Sequence, residues 1–260
     1  MGKITLNPML NIKKFLTALV LTISTGLLII LANFPSSAVS PPTPKLHYLP
    51  GTLAQWKDSQ NSGDYFSQVA TTEIGYLVWS KFPVQVYIER PINVSNQQTE
   101  TWVKSVSQAV QEWSMYLPLT LVKKPEIADI QIERKAPPLQ LSSDKKIPRA
   151  RSALTTYQLY TSNNVLLHRF TILLSPSQTG NYVVAAARHE LGHALGIWGH
   201  STLQTDALYF SQVRNPPTIS ARDVNTLKRV YQQPTSLGWT LKDNSKMNLS
   251  TDRLFKSKGY

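Results

Sequence analysis

The stretch His189-Glu190-Leu191-Gly192-His193-Ala194-Leu195-Gly196-Ile197-Trp198-Gly199-His200 holds three of the chain's five histidines and a glutamate within twelve residues. On a helix, positions i and i+4 lie one turn apart on the same face, so His189 and His193 can aim ring nitrogens at a single ion. Glu190 then lies beside that ion, placed to take a proton from a water whose pKa the metal lowers. A catalytic zinc usually takes three protein ligands and keeps a fourth position open, so the chain must supply a third. Residues 191–260 contain no glutamate, which leaves His200 and Asp206. His200 is favoured, because imidazole is a common neutral zinc ligand and Gly196 stands where a left-handed residue can end the helix and return the chain.

Working outward, the helix that carries these residues is expected to start at Asn181 as N-cap and to run to Leu195. Upstream, residues 82–89 alternate apolar and polar side chains as a half-buried strand does. Ser95-Asn96-Gln97-Gln98 reads as a capping box, followed by Trp102, Val106, Ala109, Val110, Trp113 and Leu117 at helical spacing. Residues 119–122, 128–133, 153–160 and 165–174 read as further strands. After the Pro216-Pro217 loop, Ser220-Ala221-Arg222-Asp223 reads as a second capping box, with Val224, Leu227 and Tyr231 marking a short C-terminal helix. This order of elements predicts an α+β domain.

The histidine motif resembles the metzincin signature H-E-x-x-H-x-x-G-x-x-H with its following methionine-containing turn, and the surrounding sequence looks most like a matrixin in a bacterial exported form. The resemblance covers roughly residues 75–235. Outside the motif it rests on the order of elements and on the strand near residues 128–132. At two places the chain departs from the pattern. Gly199 stands at the usual third-histidine position with His200 one residue late, so the loop after Gly196 is one residue longer. Leu208, in Asp206-Ala207-Leu208-Tyr209, stands where methionine is expected, an exchange of similar volume.

The resemblance implies a twisted mixed sheet with a backing helix, a zinc-site helix below the sheet edge, and the short C-terminal helix. It implies a zinc-dependent endopeptidase that hydrolyses peptide bonds of a protein or peptide through a zinc-activated water, with His189, His193 and His200 as ligands and Glu190 as general base. The substrate would lie antiparallel along an edge strand, here residues 165–174 or the loop after them. The alternative expectation is a catalytically degenerate metal-binding module that binds envelope components.

Composition narrows the remaining classes. With no cysteine there is no disulfide framework, no thiol nucleophile, no Cys-based zinc site and no latency through a propeptide cysteine. A net charge of +12 favours anionic surroundings such as envelope polymers or membrane headgroups, and no nucleic-acid module or Gly-rich phosphate loop is evident. Lys13-Lys14, the uncharged apolar run at residues 15–34 and Ser36-Ser37-Ala38 predict export. Residues 1–38 are then a signal peptide or an N-terminal membrane anchor, because the run approaches the roughly 20 residues that span a bilayer. Residues 39–75 read as a linker or N-terminal extension, 76–235 as the catalytic domain and 236–260 as a basic tail. Lys145, Lys146, Arg149 and Arg151 form a basic loop read as a solvated flap, Tyr209 is expected to pack beside the turn, and His47 and His168 read as exposed or strand-packed.

Overall fold

The computed structural model describes residues 40–141 and 148–241, and those from Pro41 onward belong to one compact unit. The expected signal or anchor at residues 1–38 lies outside the described residues, as do Lys145 and Lys146. Among the described residues no helix is long and apolar enough to cross a membrane.

The architecture is α+β, built on a five-stranded mixed sheet. After a short helix α1 (Gly51–Gln55) come strand β1 (Val84–Ile88), helix α2 (Asn96–Ser114), and strands β2 (Leu119–Val122) and β3 (Ile130–Arg134). A two-stranded ribbon of β4 (Gln140–Leu141) and β5 (Pro148–Arg149) leads to the long hairpin β6 (Ala153–Ser162) and β7 (Val165–Leu174), then helices α3 (Asn181–Ala194) and α4 (Ala221–Tyr231). The sheet order is β2-β1-β3-β7-β6, with parallel pairing everywhere except β6, which runs antiparallel to β7. Strand β7 is therefore interior: it pairs with β6 along its length, with β3 over Phe170–Leu174, and near its start Leu166 bonds to Trp239 and Gly238. The edge is β6, which corrects the expectation that β7 would line a substrate.

Alternation does most of the local work. Val84, Val86 and Ile88 on β1, Ile130 and Ile132 on β3, and Phe170, Ile172 and Leu174 on β7 are buried, turning one face of the sheet into the core. Asn163 and Asn164 close the hairpin at φ 49° and 62°, a pair of left-handed residues that matches strand twist and that asparagine tolerates. Both expected capping boxes form, Ser95 with Gln98 and Ser220 with Asp223. On α2, Trp102, Val106, Ala109, Val110 and Trp113 form the buried stripe. Helix α3 does begin at Asn181, but its N-cap is Gly180 at φ 54° with no side-chain cap, so Asn181 is the first helical residue.

Two terminal stretches pack more closely than composition suggests. Lys45 pairs with Thr235, and Thr235, Ser236 and Leu237 are buried. Leu166 N–H donates to the Trp239 carbonyl at 3.1 Å, so the chain stays attached to β7 beyond residue 235, where a tail was expected. Residues 242–260 lie outside the described residues.

His168 is strand-packed and buried, its ring stacked on Trp79 at 4.0 Å, and its Nε2 has no hydrogen-bond partner. Burial lowers its pKa from 6.5 to about 3. Because the unfolded chain takes up this proton at pH values where the folded chain does not, stability falls as pH drops from about 6.5 to about 3. The full effect is roughly 4–5 kcal/mol. Acid titration followed by circular dichroism should show His168→Phe, which keeps the stack, unfolding at a lower pH than the unsubstituted chain. An unchanged midpoint would show that another group dominates acid unfolding.

Candidate metal centre

Helix α3 is pinned at both ends of the motif by indole hydrogen bonds to its carbonyls. Trp113 Nε1 donates to the Arg188 carbonyl at 2.8 Å, and Trp79 Nε1 to the Ala194 carbonyl at 2.9 Å. The Arg188 guanidinium forks onto Glu112 of α2 and also donates to the Pro217 carbonyl. These contacts leave the opposite face of the helix, with His189 and His193, free to serve the cleft. Gly192 lies between them against the helix floor, where an added Cβ would come within 2.6 Å of a Leu208 methyl and 3.1 Å of Trp113. Leu208 is fully buried there, its methyls packed against Gly192 between the two histidines in sequence. The helix ends at Ala194, and Gly196 at φ 130° turns the chain back in a conformation that glycine alone adopts readily.

The return brings His200 to the other two histidines. Nitrogens of His189, His193 and His200 lie within 4.8 Å of one another, a cluster that could hold a metal ion. His189 Nδ1 donates to the Ala207 carbonyl at 2.9 Å, and His193 Nδ1 to the Ile197 carbonyl at 2.8 Å. Those bonds fix the tautomers, so each ring presents an unprotonated Nε2. The two Nε2 atoms face each other at 3.1 Å. Two lone pairs so placed repel, unless a cation lies between them. At metal–nitrogen distances of 2.0–2.1 Å, a tetrahedral ion separates its ligand nitrogens by about 3.4 Å, close to the 3.1 Å of this pair, so the two rings are spaced as ligands of one ion would be. Burial keeps all three rings neutral, the form that ligates. It lowers His189 below its ordinary value, takes His193 well below with help from the neighbouring rings, and brings His200 to about 4.

Glu190 points from the same helix turn toward β6. It is buried, and Thr155 Oγ1 donates to its Oε2 at 2.6 Å and approaches its carbonyl oxygen at 3.2 Å. Burial raises the carboxyl pKa from 4.5 to about 7, against the lowering effect of Thr155 and the Arg151 charge. Thr155 was not singled out from sequence. Alternation along residues 153–160 assigns it a face of a strand, but only the packing of β6 over α3 makes that face the Glu190 side.

Asp206, the rival third ligand, is otherwise committed. It is fully buried and accepts from Ser201 Oγ at 2.5 Å, Ser220 Oγ at 2.7 Å and Arg222 Nε at 3.0 Å. Its neighbour Asp223 accepts from Ala207 N–H at 2.8 Å and from the Tyr65 hydroxyl at 2.5 Å. Together the two carboxylates tie the turn at residues 206–209 to the start of α4. The histidines open into a cleft of about 360 Å³ whose walls include Tyr182, Ala186, Trp198, Tyr209, Phe210 and Pro217. Tyr209 lies tilted against Phe210 with ring centroids 4.5 Å apart, and Arg151 of the expected basic loop lines the cleft.

Compared with known protein families and with curated proteins, the sequence finds no match. The geometry of the site therefore carries the functional argument.

Proposed function

We propose that this chain is an exported zinc endopeptidase of the metzincin type, matrixin-like in layout. The observation that carries the reading is the pair of Nε2 lone pairs held face to face by carbonyl-anchored rings, with His200 beside them and a buried carboxyl on the next residue. Neutral imidazoles arranged in this way serve a cation, and a base adjacent to the cation serves hydrolysis.

His189, His193 and His200 would hold a zinc ion, which would supply Lewis-acid polarisation of water and of the scissile carbonyl. Glu190 takes the proton from the attacking water and passes it to the leaving amine nitrogen as the C–N bond breaks, so the products are a carboxylate and an amine. A carboxyl raised to about 7 by burial is near the value that suits both halves of that transfer. Thr155 holds one oxygen of Glu190, which restricts the carboxyl to one rotamer range. Strand β6 ends the sheet beside the cleft, and its outer backbone groups suit an extended peptide added antiparallel, as in strand-addition recognition. The apolar walls beside the histidines suit a side chain of the bound peptide.

The test is hydrolysis of an unfolded protein substrate by the zinc-loaded chain, with and without a chelator. Cleavage that stops with chelator and returns with zinc is expected. Folded, zinc-loaded protein that leaves the substrate intact would overturn the peptidase reading. The alternative would then stand, a metal-binding module for anionic envelope material, which the charge of +12 suits.

A further inference from the structure

The glycine at position 199 and the late His200 share a physical cause in the segment that precedes the sheet. Val69 and Gly199 form an antiparallel bridge, and Ala70 N–H donates to the Trp198 carbonyl at 2.9 Å. A Cβ added at Gly199 would lie 2.1 Å from the Gln68 carbonyl oxygen and 3.0 Å from the Val69 Cα. These obstacles are backbone, which cannot swing aside as a side-chain tip can. No histidine fits at position 199 while this segment is docked, and the ligand stands one residue later instead.

A second route runs from the same segment to another histidine. Tyr65 is 4% exposed, and its hydroxyl donates to Asp223 Oδ1. Asp223 Oδ2 accepts from Ala207 N–H, and the Ala207 carbonyl accepts from His189 Nδ1 at 2.9 Å. The phenol of Tyr65 thus reaches His189 through one carboxylate and the backbone N–H and C=O of Ala207, while residues 68–70 brace the loop that delivers His200. An inhibitory stretch would have to obstruct the cleft, yet none of the cleft-lining residues comes from positions 40–80.

We propose that residues 65–70 are a working part of the metal centre, positioning His189 through Tyr65 and His200 through the Gly199 bridge. The inference rests on the reading of the three histidines as a metal site, and it does not require that the site be hydrolytic. The consequence is that this stretch stays in place in the functional protein and does not act as a removable inhibitor.

Zinc affinity of the full chain, measured by competition with a chromophoric chelator at neutral pH, tests it without reference to turnover. Groups that orient metal ligands typically change affinity by about 10–100-fold, and Gly199→Ala is expected at the upper end because it lifts the segment away. Tyr65→Phe keeps the ring and removes only the hydroxyl, so it folds more readily and should weaken zinc by about 10-fold. Trp56→Phe removes a hydrogen bond from the preceding chain to Asn225 that lies on neither route. It should lower thermal stability and leave zinc affinity unchanged. If the unsubstituted chain binds zinc and both Gly199→Ala and Tyr65→Phe bind it equally tightly, with changes confined to melting temperature, the segment is scaffold only and the proposal is overturned. If Gly199→Ala does not fold, Tyr65→Phe decides alone. An unsubstituted chain that binds no zinc would instead overturn the metal reading itself.

Discussion

Glu190→Gln should lower hydrolysis by roughly 10²–10⁴-fold while zinc content stays that of the unsubstituted chain, because the amide keeps the shape of the carboxyl but cannot take the proton. The amide oxygen can still accept from Thr155, so the neighbouring packing is preserved. The same substitution has a stability signature of defined sign in the metal-free protein. Burial raises the Glu190 pKa from 4.5 to about 7, so the folded state holds its proton more tightly than the unfolded state does. That contribution is present below pH 4.5 and is lost as pH rises through 7, which makes the ionised carboxylate a liability of roughly 3 kcal/mol at higher pH. Metal-free Glu190→Gln should accordingly melt higher than the metal-free parent at about pH 8, and the two should converge near pH 4. Denaturation at the two pH values, with metal analysis and a hydrolysis assay, checks all three expectations. Loss of zinc along with activity would make Glu190 a structural residue and sink its role as base.

His200→Ala should weaken zinc by more than about 100-fold, beyond what loss of an outer partner typically causes, and should remove hydrolysis with it. The prediction is sharp because the competing ligand behaves differently. Asp206 spends its oxygens on Ser201, Ser220 and Arg222, inside the protein, so Asp206→Asn should lower stability through the broken network. Its effect on zinc should be smaller than that of His200→Ala. Chelator competition on both variants separates the two ligands. Near-normal affinity in His200→Ala would return the assignment to Asp206 and imply a rearranged loop.

These experiments address a site whose parts were unequally visible in the chain. His189, Glu190 and His193 are legible because helical spacing converts sequence distance into a shared face, and helix α3 realises that spacing. The strands read at residues 82–89 and 128–133 are legible because alternation has a period of two, and they form as Val84–Ile88 and Ile130–Arg134. Both capping boxes follow from local side-chain to backbone hydrogen bonds that need no tertiary partner. The placement of β6 at the edge is of another kind. Residues 153–160 and 165–174 both read as strands, and nothing local says which of them borders solvent. The pairing of β7 with β3 decides it, a contact between stretches remote in the chain, such as Ile130 with Phe170.

What the sequence by itself determined is the histidine pair with its adjacent carboxyl, the capped helices, the alternating strands and the exclusion of cysteine chemistry, because each depends on spacing within a few residues or on composition. Tertiary structure alone decided that His200 completes the cluster, that Thr155 holds Glu190, that Asp206 is tied into a hydrogen-bond network and that residues 65–70 pack against the loop that carries His200. Each of those depends on two remote stretches meeting at hydrogen-bond distance. Backbone approaches such as Gln68 against Gly199 leave only a glycine in the sequence as their trace.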